Sequence, residues 1–260
     1  GNALFLEELI RSAAEGHSEE QPDTVLAMLQ ARLSRLDAES RRALLAASVF
    51  GQTFWQEGVA KILSLPSHSP QVTTWLAALA EAELIEPSPT SRLAGQKEFS
   101  FRHALNRDAA YALLTDADRL AGHRLAGLFL EEVGEPDAAV LAEHFEQGAE
   151  TARAAELFCR AAEAAFRKRE PESAVRLAGR GIACGAQGEL LGTLLALTSY
   201  CWFIIGRIDL SFPLALEALP LVPPGSLPWT YSMSGACLVA PSGPPEWQRR
   251  FPELMAQFLS

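Results

Sequence analysis

"LIEPSPTSRLAGQKEFSFRHALNRDAAY", residues 84–111, is where the chain changes its period. Two short strand-like runs, "LIEPSP" and "KEFSF", are joined by "TSRLAGQ", which is rich in turn formers. Phe99 and Phe101 alternate with polar neighbours, as on a half-buried strand. After Phe101 the spacing becomes helical. Leu105, Ala109 and Ala112 fall on one helix face, which is expected to pack inward. His103, Asn106, Arg107 and Ala110 fall on another, with His103 and Arg107 one helical turn apart.

Working outward, the chain is helical on both sides of this stretch. "PDTVLAMLQARLSRL" (22–36) puts Val25, Leu26, Leu29, Leu33 and Leu36 on one face, with Pro22 and Asp23 at its start. "DAESRRALLAASVFG" (37–51) takes Asp37 as N-cap and stops at Gly51. "FWQEGVAKILSL" and "VTTWLAALAEAELI" read as two further short helices. Short helices, then a small hairpin, then another helix is the order of a winged-helix domain, here over residues 18–115.

From residue 116 onward only helices are legible. Residues 116–150 form a helical connector, and residues 151–260 read as repeats resembling tetratricopeptide units, expected to be truncated. Their pairs are "TARAAELFCRAAEAAFRKRE" with "PESAVRLAGRGIACG", and "GELLGTLLALTSYCWFIIG" with "IDLSFPLALEALPLVPPG". Gly206, Ala215, Ala218 and Pro223 have the repeat's spacing, and the proline is expected to end the second helix. Ala174, Ala178 and Gly181 repeat the pattern in the earlier pair. Residues 229–240 could be the first helix of a third unit. The expected fold is therefore mainly α, a winged helix with a small β-hairpin followed by a helical repeat array.

Composition narrows the function classes. The formal net charge is -10, and an acidic chain repels phosphate backbones. Residues 18–112 hold eleven Asp/Glu against nine Lys/Arg, and "VTTWLAALAEAELI" has no Lys or Arg, so the winged helix lacks a basic face for DNA. Cys159, Cys184, Cys201 and Cys237 form no CxxC pair and read as reduced thiols inside helices, consistent with a cytoplasmic protein. His123 and His144 read as helix-surface histidines, since no second ligand stands at i+4 for a metal. "LLGTLLALTSYCWFII" (190–205) carries no charge but is shorter than a membrane span, and is expected to be a fully buried repeat helix. Adjacent Glu19–Glu20 and Glu131–Glu132 diverge on a helix and read as solvated surface. The chain contains no GxSxG, HExxH, GxGxxG or GxxxxGK[ST] motif, and no autonomous enzyme is expected.

The remaining candidates are His103 and Arg107. An imidazole, a guanidinium and a helix N-terminus together can read a phosphate. The residues taken by themselves favour the plainer reading, an ordinary polar face.

Three segments in order carry a family resemblance: "GNALFLEELIR", "PDTVLAMLQARLSRLDAESRRALLAASVFGQTF" and "FSFRHALNRDAAYALL". Together they resemble the back half of the STAND class of signal-transduction ATPases. The nearest likeness is to the bacterial branch fused to adenylate cyclase domains, Ser/Thr kinases or LuxR-type activators, and it covers about residues 1–185. The resemblance implies that residues 1–17 close the helical part of a nucleotide-binding module. It implies a winged helix that packs on that module rather than on DNA, and an upstream Walker A and B region. His103 resembles the histidine of the family's MHD signature, which touches the β-phosphate of bound ADP in the resting state; Arg107 is the companion candidate. Two positions depart from the pattern. Ala3 stands where the family carries an adenine-contacting proline, and the signature reads Arg102-His103-Ala104. No cofactor is expected in this chain, with ATP or ADP held by the parent protein. The expected partners are the upstream module and a protein or effector domain reached through the repeats, with no nucleic acid and no membrane. The rival readings are a DNA-binding winged-helix regulator and a repeat scaffold with no nucleotide link.

Overall fold

The computed structural model describes residues 35–259 together with Leu29 and Leu33. The expectations for residues 1–17, Ala3, Glu19–Glu20, Val25 and Leu26 lie outside the described residues. Two compact units divide after Gly134, within the stretch read as a connector. Among the described residues there are twelve α-helices and one three-stranded sheet.

The first unit begins with α1, Ala38–Ser48. Asp37 caps it, its carboxylate accepting from the Glu39 N–H at 3.1 Å and the Ser40 N–H at 2.9 Å. Gly51 follows at φ +105°, a conformation that an L side chain rarely adopts, and turns the chain out of the helix. The next element is β1, Thr53–Trp55. This corrects the expected helix from Phe54: the helix α2, Gln56–Ile62, starts only after Trp55, which serves as both last strand residue and N-cap. Next come α3, Pro70–Glu81, and the hairpin of β2, Ile85–Pro87, and β3, Glu98–Phe101. The strand order is β1-β3-β2, antiparallel throughout, so the expected hairpin is in fact a three-stranded sheet with β3 central.

The sheet's inner face and the helices share one core. Leu29, Leu33, Leu44, Phe54, Val59, Leu76, Leu79 and Phe101 are all essentially inaccessible. Phe54 stacks on Phe99, its cross-strand partner, at 5.8 Å and lies 5.4 Å from Phe101. At the hairpin tip, the Glu98 carboxylate accepts from the Arg92 N–H at 2.8 Å, the Trp55 Nε1–H at 3.2 Å and the Ser91 hydroxyl at 3.3 Å. The unit is completed by α4, Ala104–Ala112, and α5, Asp116–Glu132. Phe129 of α5 packs edge-on to Phe50 at 5.8 Å.

The second unit is helical throughout its described residues. It contains α6 Ala138–Gln147, α7 Thr151–Arg167, α8 Pro171–Ala183, α9 Gly188–Ile205, α10 Ile208–Ala218, α11 Leu227–Val239 and α12 Pro245–Phe258. The pairs α7/α8 and α9/α10 close through small residues, Ala174, Ala178, Ala215 and Ala218 being buried. The second helix of the latter pair ends at Ala218 rather than at Pro223, because Pro220 draws the chain into a 3₁₀ turn, Leu219–Leu221. A third pair follows in α11 and α12, where Leu254 shares a core with Phe212, Met233 and Val239.

The apolar helix α9 has a mean hydropathy of 1.5 and is long and apolar enough to cross a membrane. Within the unit 44% of it is buried, so it is less enclosed than the full burial expected from sequence. Its closest approach is at Gly192, where an added Cβ would stand 2.7 Å from both Leu221 Cβ and Val222 Cγ1 and 3.1 Å from the Leu221 carbonyl carbon. Backbone cannot yield as a flexible side chain does. Gly192→Ala should therefore cost on the order of 1–2 kcal/mol through overpacking, despite the better helix propensity of alanine. Thermal unfolding should show a lower midpoint; an unchanged or raised midpoint would mean that the two segments separate freely.

Candidate functional site

Residues 99–111 fold as a strand running into a helix, and two main-chain hydrogen bonds and one from a side chain fix the junction. The Phe101 N–H donates to the Gln52 carbonyl at 2.9 Å, and the Arg102 N–H donates to the Leu84 carbonyl at 3.1 Å. The Gln52 side-chain amide donates back to the Phe101 carbonyl. His103 is consequently held extended, at φ −136° and ψ 139°, as the N-cap of α4. Its ring makes no capping hydrogen bond and is half-buried. The histidine thus stands at a helix start, where the first-turn N–H groups and the helix dipole favour an anion.

Arg107 has partners within the unit. Its Nε–H donates to the Ser48 carbonyl at 3.2 Å, at the C-terminal end of α1. Its Nη1 pairs with Asp108 at 3.0 Å, and the guanidinium lies 4.7 Å from the centre of the Tyr111 ring. Arg107 therefore ties α4 to α1, and its charge is already partly met.

The inward face of α4 differs from the expected one. Asn106, Ala109 and Ala110 are buried, while Ala112 is exposed and Leu105 only partly covered. The buried face of this short helix is rotated toward α1, so that Asn106 and Ala110, read from sequence as part of the polar face, are buried in place of Leu105 and Ala112. Asn106 is 1% exposed, and both its side-chain Nδ2 and Oδ1 lack a hydrogen-bond partner.

A second cluster lies at the other end of α4. It centres on His123 of α5, which is 3% exposed; His144, in the second unit and not part of this cluster, is 7% exposed, so neither is a helix-surface histidine as expected. His123 Nε2 lies 2.9 Å from the Tyr111 hydroxyl. Tyr111 is flanked by Arg107 and, at 5.1 Å, by Arg119. Arg119 donates to the Tyr111 and Ala112 carbonyls, both at 3.4 Å, and pairs with Asp116 at 3.3 Å. Burial pushes the His123 imidazole down to about 4, and the positive charge of Arg107 pushes the same way. A neutral imidazole is thereby buried against a phenol hydroxyl, with the Arg107 cation disfavouring its protonation. The sequence signal for this cluster is the step from Arg107 to Tyr111, one turn on, followed by a tight return into α5.

Among the described residues there is no group of three or more His, Cys, Asp or Glu side chains that could hold a metal ion. All four cysteines are free, and Cys159, Cys184 and Cys201 are buried. Burial pushes the Cys159 and Cys201 thiols up to about 11, which keeps them protonated and unreactive at neutral pH.

No family model matches the chain, and neither does any curated protein or solved structure.

Proposed function

We propose that the chain is a regulatory and interaction segment of a STAND-type signalling ATPase, which couples the nucleotide state of an upstream module to a partner or effector domain. The observation that carries this reading is the place of His103, held extended at the N-terminus of α4 by the end of β3. The element order also supports it. Helix, strand, two helices, two strands and a further helix is the order of a winged helix. The helical pairs from α7 onward suit a tetratricopeptide-like array, whose usual work is to hold protein partners.

In a DNA-reading winged helix, α3 would face the bases. Its exposed positions here are Gln71, Thr73, Thr74, Ala77, Ala78 and Glu81, with no cation to neutralise phosphates. That favours a protein-packing role for this unit. A sequence-selective complex of submicromolar affinity in a gel-shift experiment would favour the DNA-binding alternative instead.

The test is His103→Ala in the full-length parent protein. The imidazole would donate a hydrogen bond to a β-phosphate oxygen of ADP in the resting state. Its loss should weaken ADP binding by about 1.5–3 kcal/mol, the scale of a hydrogen bond to a charged group. Because that contact belongs to the resting state, basal output should rise. Circular dichroism of the variant should match that of the wild type, which separates a lost phosphate contact from unfolding. ADP off-rate and effector output are to be measured together. An unchanged off-rate would leave His103 as part of an ordinary polar face. The 260-residue chain alone, which has no phosphate-cradling loop, should show no micromolar ATP or ADP binding by calorimetry.

A further inference from the structure

The helix α4 is held unevenly along its length. From Arg107 onward it is tied to its neighbours. Arg107 donates to the Ser48 carbonyl of α1 at 3.2 Å, the Tyr111 hydroxyl lies 2.9 Å from His123 Nε2 of α5, and Arg119 of α5 donates to the Tyr111 and Ala112 carbonyls. The residue just before the helix is fastened as well. The Arg102 N–H donates to the Leu84 carbonyl at 3.1 Å, and the Arg102 guanidinium pairs with Glu83 at 3.1 Å.

Between these anchors lies the first turn, residues 103–106, and its chemistry works against closure. His103, whose ring makes no capping hydrogen bond, stands where a serine or aspartate would accept from the first-turn N–H groups. Asn106 ends the turn at 1% exposure, and neither Oδ1 nor Nδ2 has a hydrogen-bond partner among the described residues. Water satisfies both ends of a primary amide, so folding the turn down strips that solvation with nothing in exchange. The apolar gain that opposes this is small. Leu105 is the one large apolar side chain of the turn, and it lies at the edge of the core, only partly covered. By contrast, α1 is capped by Asp37 and buries Ala43, Leu44, Ala46 and Ala47.

We propose that residues 103–106 form a switch segment, which opens away from α1 while Arg102 and the helix from Arg107 onward stay anchored. Opening returns the Asn106 amide to water and gives up little apolar burial, so the open turn is a low-lying neighbour of the closed one. The consequence for function rests on the reading of His103 given above. Only the closed turn stands the histidine at a helix start, so opening dismantles the resting-state contact.

The test is amide hydrogen exchange of the whole 260-residue chain, resolved residue by residue by NMR. The Asp108, Ala109 and Ala110 N–H groups report on the turn, because their helical acceptors are the carbonyls of residues 104–106. They should exchange about 100-fold faster than the Leu44 and Ala47 N–H groups of α1, after correction for intrinsic rates. The Tyr111 and Ala112 N–H groups, whose acceptors lie beyond the turn, should be better protected than the three reporters. Asn106→Leu keeps the branching and the number of heavy atoms without a polar atom, and should slow the reporters by about tenfold. Asn106→Val, whose helix propensity is close to that of asparagine, should slow them by a similar factor. The amides of α7 should not respond. Wild-type reporters as protected as α1 would show that the turn opens only with the whole unit. Tyr111 and Ala112 exchanging as fast as the reporters would show that the entire helix leaves. No slowing in either variant would show that the amide is satisfied in the closed turn. Any of these results overturns the proposal. In the parent protein Asn106→Leu should also slow ADP release and lower basal output. If the reporters behave as expected and ADP release is unchanged, the switch segment stands and the nucleotide link falls. If the reporters fail, this inference falls whatever the ADP result.

Discussion

Phe54→Ala should unfold the first unit at lower denaturant than any exposed substitution, with a loss of about 3–5 kcal/mol, the range for truncating a buried aromatic. The ring is fully buried, stacks on Phe99 across the strand pair and touches Phe101 on the central strand. Its removal leaves a cavity where β1 and β3 meet the helices, and the rigid elements around it cannot collapse far. Hydrogen exchange resolved along the chain is the appropriate readout, because each unit has its own core. Protection of α1, α3 and the sheet should fall together, while α7 to α10 keep theirs. Uniform loss across both units would show that they unfold as one body. A loss under about 1 kcal/mol would mean that Phe54 lies on a surface, as a helix beginning at that residue could have placed it.

That residue also explains what could be read in advance. The helix at Asp37, the turn at Gly51 and the hairpin around residues 84–101 each carry their own punctuation: a capping side chain, a left-handed glycine, alternating phenylalanines. β1 carries none. It is three residues long, too short for alternation to register, and Trp55 passes from strand to helix with no turn residue between. The hidden side-chain sites have a different cause. On α5, Leu120 is 46% exposed while Gly122, His123 and Ala126 are buried. An added Cβ at Gly122 would stand 3.0 Å from Val49 Cγ2. Helices that approach through small residues bury the stripe that hydrophobicity ranks low, so a histidine in that stripe looks exposed when it is not. The same rotation hid Asn106 on α4. His103, in contrast, was legible because its position follows from where a strand must end and a helix must begin.

The buried histidine makes stability depend on pH in a defined window. In the folded chain the His123 imidazole takes a proton only near pH 4, while in the unfolded chain it does so at its ordinary value of about 6.5. Between those two values the unfolded state binds a proton that the folded state excludes. Stability from this group is therefore complete above about pH 6.5 and is lost as the pH falls through 6.5 toward 4. The loss should be about 2 kcal/mol at pH 5 and reach about 3 kcal/mol below pH 4. Two causes oppose the proton: the imidazole is buried against the Tyr111 hydroxyl, and the Arg107 cation, which lies 4.7 Å from the Tyr111 ring centre, repels a charge on it. Asp37 acts at lower pH. Its carboxyl is held below the usual range chiefly by the Ser40 backbone N–H, and its contribution is lost only as that group protonates. Urea midpoints for the first unit, taken between pH 7.5 and 4.5, should fall steeply in the wild type. In His123→Gln, which keeps a polar partner for Tyr111 but cannot titrate, the curve should be nearly flat down to pH 5. Parallel curves for the two proteins would mean that the proton is taken up elsewhere, and that the Tyr111–His123 contact stabilises the α4–α5 junction without sensing pH.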